Sequence, residues 1–490
     1  MGGANTALLR WVGAARCVQV PPAVVWVETR GTHGDLLHQT VAVGMAELRR
    51  VLEEADQELP AFVWKELERY LGCGDPQNGF AWLVCERCDG HRLVPFSCKG
   101  RAFCPCCCGR RMAERAARWC DTLFAEVPHR QWVLTVPWPR RRLLAWRPEL
   151  ARGVLDLALR EVFAWLVAHA EERHEVVDAR TGAVTVEQRF GSSLALNLHF
   201  HCLLPDGVWA RDEAGALRFH RVRPTPEALE TLVRRIAEAS ERWLVGQGVD
   251  DEEAPDDAQA VLFAASVANQ VAAGPRTGQP VRRYRAVPPR FEEVSRSGDG
   301  VLCEGYGLHA GTWVPASDRV GLEQLARYLL RPPLAKARLE GRPDGQVVLH
   351  LRKPWRDGTA AFLFTPLELT EKLAALVVRP RVHTTHFHGV YAAHAAWRSE
   401  LVPRRLPDAG RDGKTTLLRR PAPLKGRNRS AWCPWSELLE RVFGTGGFVC
   451  PRCAGQMTLR TVVVGPPATT RILAGLANSS RGPPSVARIA

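Results

Sequence analysis

Two histidines separated by one apolar residue lie near the middle of the chain, where His199 and His201 flank Phe200. Alternate residues of a β-strand point to the same face, so both imidazoles converge while Phe200 turns into the core. Imidazole with oxygen ligands suits Mg²⁺ or Mn²⁺, which polarises a phosphate for attack. A third ligand is needed, and Gln188 or Glu187 on the preceding predicted strand is well placed to supply it.

A tyrosine further along the chain is the candidate nucleophile. Tyr328 lies in a helix predicted over 320–330, between Arg327 and Arg331, two side chains suited to DNA phosphates or to a phenolate. A phenol oxygen beside a bound cation can attack a phosphodiester, so this combination predicts that the chain cuts and rejoins DNA. Tyr306 and Tyr284 remain alternatives, because both precede that helix in a segment rich in Gly, Pro and Arg.

The histidine pattern occurs twice, since His386 and His388 flank Phe387. The pattern alone is short, and most such pairs are ordinary surface or core residues. The first copy has the better context, with a predicted strand around it, Asn197 before it and Pro205-Asp206-Gly207 after it. We therefore predict that the first copy binds the metal.

The cysteines indicate a second kind of metal site. Cys85 and Cys88 form one Cys-x2-Cys pair, and Cys104 and Cys107 form another with fifteen residues between the pairs. That spacing is typical of a four-cysteine structural Zn²⁺ site, the alternative being buried free thiols. Cys98, Cys106 and Cys108 leave the choice of ligands open. A second zinc at Cys450 and Cys453 is not expected, even with Cys433 as a third ligand.

The composition favours an anionic partner. The 490 residues carry a formal net charge of +14, and 59 of the 66 basic residues are arginine. Arg110 and Arg111 directly follow the cysteine pairs, which suggests a zinc-held platform facing DNA; a solvated helix face is the alternative. No stretch reaches the length of a membrane span, and no ATP-binding motif is present.

Hydrophobic periodicity predicts strands over 131–137, 183–190 and 194–204 and helices over 112–124, 149–172, 227–245 and 320–330. The predicted fold class is α+β. The predicted divisions are a helical N-terminal region (1–72), a zinc-binding domain (73–126), a nuclease domain (127–400), a basic linker (401–430) and a small C-terminal module with a Cys pair (431–490).

These motifs together resemble the bacterial rolling-circle transposases of the HUH nuclease class that carry an N-terminal transposase zinc-binding domain. The blocks that carry the resemblance span about residues 70 to 475 and include the cysteine pairs, Gln188 to His201, Ala326 to Pro333, Phe387 to Val390 and Cys450 to Cys453. The resemblance implies a zinc-ribbon-like domain and a nuclease domain with a central antiparallel sheet flanked by helices. It implies metal ligation by His199 and His201 and attack by Tyr328.

Some relatives have two tyrosines four residues apart, but Gln324 and Pro332 occupy those positions here. The resemblance therefore implies a single-tyrosine enzyme that nicks single-stranded or hairpin DNA at element ends and joins it to a target. A host helicase and polymerase, no membrane, and a cytoplasmic location at the bacterial nucleoid belong to the same expectation. The alternatives are a replication initiator or relaxase with the same chemistry, and a non-catalytic zinc-dependent DNA-binding regulator.

Overall fold

The computed structural model describes residues 16–20, 23–27, 33–88, 90–248, 257–285, 300–402 and 448–478. The predicted basic linker, beyond its first two residues, lies outside these ranges, as does Cys433. Among the described residues, no helix is long and apolar enough to cross a membrane.

The helices are labelled in chain order. They are α1 (Leu36–Glu54), α2 (Ala61–Leu71), α3 (Pro105–Thr122), α4 (Trp138–Trp146), α5 (Pro148–His174), α6 (Pro226–Gly246), α7 (Ala258–Val267), α8 (Arg319–Leu329), α9 (Pro366–Ala375), α10 (Arg398–Leu401) and α11 (Pro466–Asn478).

The strands are labelled in the same way. They are β1 (Arg16–Val20), β2 (Ala23–Val27), β3 (Gly79–Cys85), β4 (His91–Pro95), β5 (His129–Thr135), β6 (Gly182–Phe190), β7 (Leu196–Pro205), β8 (Gly207–Arg211), β9 (Leu217–Arg221), β10 (Arg282–Arg285), β11 (Gly300–Cys303), β12 (Tyr306–His309), β13 (Trp313–Val314), β14 (Leu339–Gly341), β15 (Val347–His350), β16 (Thr359–Phe364), β17 (Thr385–Gly389) and β18 (Met457–Val464).

A central antiparallel sheet runs in the order β11-β12-β5-β7-β6-β17, and β13 pairs with the far end of β5. Apolar residues of α5 and α6 pack on one face, together with Phe200 of β7. Apolar residues of α3 and α8 pack on the other face, around Leu203. Because β7 is buried on both faces, its apolar side chains do not simply alternate with polar ones. The predicted antiparallel sheet flanked by helices is confirmed.

Helix α3 begins seven residues before the predicted start at 112. Pro105 occupies its first turn, where the missing N–H costs nothing, and Cys104 is the N-cap. Cys106, Cys107 and Cys108 are therefore helical. The periodicity did not reveal this turn because cysteines fixed by metal geometry need not follow the apolar spacing of an amphipathic helix.

A second sheet joins the two ends of the chain, in the order β1-β2-β4-β3-β18. β18 pairs antiparallel with β3, so that Met457 lies opposite Cys85 and Val464 opposite Gly79. The prediction of a separate C-terminal module was wrong for its described part, and the N-terminal region is not wholly helical. The pairing of β18 with β3 was not predicted because strand pairing across more than 350 residues leaves no local pattern.

A third sheet, β10-β16-β15-β14, packs with α1, α7 and α9 around a core that also includes Cys73, Cys104 and Cys107. α1 and α9 touch at Gly44, where an added Cβ would lie 2.1 Å from the Pro366 carbonyl oxygen and 2.2 Å from Thr370 Oγ1. Only glycine fits between these helices at this point. The cysteine-rich region is thereby attached to the body of the molecule through a shared apolar core.

Candidate catalytic site and zinc tetrads

Strand register brings three predicted ligand residues to one face of the central sheet. Gln188 of β6 lies directly opposite His199 of β7, and Val186 lies opposite His201. Glu187 lies opposite Phe200 and therefore belongs to the other face. Of the two residues considered as a third ligand, Gln188 shares the face of the histidines, and Glu187 does not.

Both histidines are buried and neutral. His199 is 8% exposed and His201 is 4% exposed. Burial lowers the pKa of His199 to about 4, against a partly opposing hydrogen bond to the Asn197 carbonyl. Burial, aided by His199 and Arg331, lowers the pKa of His201 to about 2. Neutral imidazole is the form that binds metal ions.

Hydrogen bonds orient both rings. The Asn197 carbonyl oxygen lies 2.8 Å from His199 Nδ1, so that nitrogen donates and Nε2 keeps its lone pair. The Gln131 side-chain amide lies 2.6 Å from His201 Nδ1. Because amide oxygen and nitrogen are interchangeable by a flip, Gln131 can accept from Nδ1 and leave Nε2 free in the same way. Sequence patterns gave no indication of Gln131, since it comes from β5.

The buried polar atoms of this site that have no hydrogen-bond partner include His201 Nε2 and Gln188 Oε1. The amide nitrogen of Gln188 donates to the Leu329 carbonyl at 2.6 Å, which fixes the side chain against the end of α8. Unpaired buried acceptors are costly unless something binds them. An imidazole nitrogen and an amide oxygen are a donor set that a divalent cation fits.

The Tyr328 ring lies next to the face of the sheet that carries His199 and His201. Its ring centre lies 5.7 Å from that of His201, nearly perpendicular to it, and the side chain is 40% exposed. The guanidinium carbon of Arg331 lies 4.4 Å from the centre of the Tyr328 ring, and burial lowers the pKa of Arg331. Arg327 instead pairs with Glu323 at 2.5 Å. Arg331 is therefore the closer cationic partner of the phenol.

The two other tyrosines considered lie elsewhere. Tyr306 is buried in the core and donates to Glu241 at 2.8 Å, and burial raises its pKa well above the usual range. Tyr284 is exposed on β10 and accepts a hydrogen bond from Arg342 at 2.8 Å. Neither tyrosine shares a face with the paired histidines.

The second histidine pair faces the opposite side of the same sheet. His386 on the edge strand β17 lies 2.6 Å from Arg152 of α5, and His388 Nδ1 lies 3.8 Å from Asp156. Burial lowers the pKa of both histidines to about 4. The central sheet thus separates the two His-x-His copies, and only the first adjoins Tyr328.

The cysteines form two tetrads rather than the predicted single one. One contains Cys73, Cys98, Cys104 and Cys107, and the other contains Cys85, Cys88, Cys450 and Cys453. Within each tetrad, all sulfurs lie within 4.8 Å of one another. The predicted set of Cys85, Cys88, Cys104 and Cys107 was wrong, because each Cys-x2-Cys pair finds its partners elsewhere in the chain.

The sulfur distances suit zinc. They are 3.4 Å for Cys98–Cys107 and 3.7 Å for Cys73–Cys107 in the first tetrad, and 3.5 Å for Cys85–Cys453 in the second. Four thiolates bound tetrahedrally at 2.3 Å would have sulfurs about 3.8 Å apart. Both tetrads fit structural Zn²⁺.

Comparisons with known protein families match two separate ranges of the chain. The family described as "Transposase zinc-binding domain" matches residues 46–136, and the family described as "Putative transposase" matches residues 182–398. Over these two ranges the chain is similar to transposases and to their zinc-binding domain.

A curated relative from Sinorhizobium fredii (strain NBRC 101917 / NGR234), named "Putative transposase y4qJ", is 29% identical over 133 residues. The matched stretch covers 26% of this chain and 31% of that relative, so less than a third of the relative's length is represented. No solved structure matches the chain.

Proposed function

We propose that the chain nicks single-stranded DNA at the ends of a mobile element and joins it to a target through a 5′-phosphotyrosine intermediate, as in rolling-circle transposition by HUH nucleases. The observation that supports this most directly is the contact between Tyr328 and His201 beside the unpaired Gln188 oxygen. The proposed nucleophile and the proposed metal ligands therefore lie on the same face of the central sheet.

His199, His201 and Gln188 would hold the divalent cation, Mg²⁺ or Mn²⁺. When bound, the cation supplies Lewis-acid polarisation of a phosphate oxygen. Asn197 and Gln131 orient the two imidazoles, and Leu329 orients the Gln188 amide. These contacts therefore determine which ring nitrogens and which amide oxygen face the metal site.

The Tyr328 oxygen forms a bond to the scissile phosphorus, and the bond from phosphorus to the 3′ oxygen breaks. The phenol proton leaves to solvent, to which the half-exposed ring is open, and the departing 3′ oxygen takes up a proton. Arg331, stacked on the phenol, favours the developing phenolate. The covalent 5′ end keeps a phosphodiester, so a 3′-OH of the target can reverse the reaction without ATP.

Two alternative functions are compared with this proposal. A replication initiator or relaxase would use the same chemistry, but the family match favours transposition. A non-catalytic DNA-binding regulator would have no need for an exposed tyrosine against two buried neutral histidines.

A host helicase and polymerase would supply strand displacement, and the protein would act at the bacterial nucleoid.

The test is adduct formation. Wild-type protein, a 5′-radiolabelled and a 3′-radiolabelled single-stranded oligonucleotide from an element end, and Mg²⁺ are incubated and resolved on a denaturing gel. We expect a protein adduct that carries the 3′ label and is lost in EDTA.

Tyr328→Phe is expected to abolish the adduct while DNA binding stays within about twofold, because only the attacking oxygen is lost. Tyr284→Phe, an exposed tyrosine away from the site, is the matched control and should form adduct normally. Adduct formation by Tyr328→Phe would reject Tyr328 as the nucleophile.

A further inference from the structure

A cleft of about 500 Å³ lies between α3 of the zinc-binding domain, the β6–β17 edge of the central sheet and the end of α8. Seven arginines line it: Arg101, Arg111, Arg115, Arg118, Arg189, Arg331 and Arg398. Glu187 is the one acidic residue in the described lining. The cleft is therefore strongly cationic.

Helical spacing aligns part of this charge. Arg111, Arg115 and Arg118 follow one another at intervals of four and three residues, so they form a row on the cleft side of α3. Burial, with repulsion from Arg111 and Arg101, lowers the pKa of Arg115. Arg110 also belongs to α3 but does not line the cleft. Closely spaced positive charges repel one another, and a bound polyanion relieves that repulsion.

An aromatic surface accompanies the arginines. Phe387 on the edge strand β17 lines the cleft and is 40% exposed, although it is a large apolar side chain. Trp119 of α3 supports it edge to face, with ring centres 6.2 Å apart. Arginines beside an exposed aromatic ring are the combination that binds unpaired nucleotides, through phosphates and base stacking.

The cleft is continuous with the candidate catalytic site, because Gln188 and Arg331 belong to both. A strand leaving Tyr328 past Arg331 would enter it directly. Its concave shape favours an unpaired strand over a duplex, since duplexes are usually contacted by a convex helix or ribbon that enters a groove.

We propose that this cleft binds the single strand next to the scissile phosphate, with Arg111, Arg115 and Arg118 on its phosphates and Phe387 stacked on a base. This proposal rests on the proposed nuclease function and assigns the zinc-binding domain a direct part in holding the substrate. The first cysteine tetrad supports the role, because Cys104 and Cys107 fix the start of α3.

The test uses the full chain with Tyr328→Phe, so that binding is measured without cleavage. A fluorescein-labelled single-stranded oligonucleotide of about 16 nucleotides is titrated at several salt concentrations and followed by anisotropy. Arg115→Ala with Arg118→Ala should weaken binding about tenfold or more and lower the salt slope by about 1.4, or 0.7 per lost phosphate contact. Arg160→Ala with Arg234→Ala, two exposed arginines of α5 and α6 on the other face of the central sheet, should bind within about twofold of the parent.

Phe387→Ala should weaken binding roughly five- to a hundredfold with little change in the salt slope, because stacking releases no counterions. Every variant is first checked for two bound zinc ions and an unchanged circular dichroism spectrum. Equal affinity of the Arg115/Arg118 double variant and the Arg160/Arg234 control would overturn the cleft assignment. Equal competition by duplex DNA of the same sequence would overturn the preference for an unpaired strand.

The adduct assay on otherwise wild-type chain separates this proposal from the nuclease proposal. Loss of strand binding in the cleft variants supports the cleft even if wild-type chain forms no adduct. Normal strand binding by those variants overturns the cleft even if wild-type chain does form one.

Discussion

At the scale of single residues, the candidate site depends on side chains that are buried, neutral and incompletely paired. His201 Nε2 and Gln188 Oε1 have no hydrogen-bond partner, although both are buried. A buried acceptor without a partner costs about 1–3 kcal/mol, and a bound cation would remove that cost. These two atoms therefore support the proposal that this face of the sheet binds a metal ion.

The two histidine pairs give the first prediction. His199→Ala or His201→Ala should reduce nicking at least about a hundredfold, because each removes a ligand from the metal site. His386→Ala and His388→Ala should leave the divalent-cation requirement unchanged, since they contact α5 on the other face of the sheet. Initial nicking rates over a Mg²⁺ titration measure this, and a changed Mg²⁺ requirement in the second pair would contradict it.

Gln131 gives a prediction about positioning. Gln131→Leu should raise the Mg²⁺ concentration for half-maximal nicking about ten- to a hundredfold, because His201 Nδ1 loses the partner that orients its ring. Gln131→Glu should restore most of the affinity, since a carboxylate also accepts from Nδ1. The maximal rate at saturating Mg²⁺ should fall much less. An unchanged Mg²⁺ requirement in Gln131→Leu would show that the contact is only structural.

At the scale of helices and strands, the sequence predicted those elements whose patterns are local. β6, β7, α5, α6 and α8 appear within a few residues of their predicted bounds, and the one-residue alternation around Phe200 placed both histidines on one face. Apart from the pairing of β6 with β7, the sequence did not predict which strands lie next to each other. Gln131 and Phe387 reach their positions through sheet order, which depends on long-range packing rather than on any motif.

The contact between α1 and α9 gives a prediction about stability. Gly44→Ala should lower the free energy of unfolding by about 1–3 kcal/mol, because the new methyl group has no room beside Pro366 and Thr370. Gly246→Ala is the matched control: this glycine ends α6, and nothing lies within 4 Å of its added Cβ. The control should be neutral or slightly stabilising. The urea concentration at half-unfolding is measured for both variants. Equal values would contradict the close contact between α1 and α9 at Gly44.

At the scale of the whole molecule, the cysteine tetrads define how the zinc-binding region is assembled. The sequence predicted that the cysteines bind metal, but the pairing of Cys-x2-Cys motifs could not be inferred from spacing. Cys73 is isolated in the sequence, and Cys450 lies 362 residues from its neighbour Cys88. Spacing rules assume that ligands are close in sequence, but one cysteine of the first tetrad and two of the second are distant from the others.

The zinc content of the purified chain tests this arrangement. Two Zn²⁺ per chain are expected, where the single set predicted from spacing would give one. Cys73→Ser and Cys450→Ser should each leave one ion, because each removes a ligand from a different tetrad. Cys106→Ser should leave two, since that cysteine belongs to neither tetrad. Elemental analysis measures the ratio, and one ion in the wild type would contradict the two-tetrad structure.

The pairing of β18 with β3 also has a consequence for the order of events during synthesis. A ribosome that has just made Cys88 must add 362 further residues before Cys450 exists, which takes roughly 20–70 s at about 5–20 residues per second. Throughout that interval β3 has an open edge, and Cys85 and Cys88 lack the other two cysteines of their tetrad. The first tetrad, complete at Cys107, can fold before the second, which must wait until Cys453 has been made. The nascent chain therefore passes through a half-metallated state, in which an unfinished sheet edge is exposed to other chains.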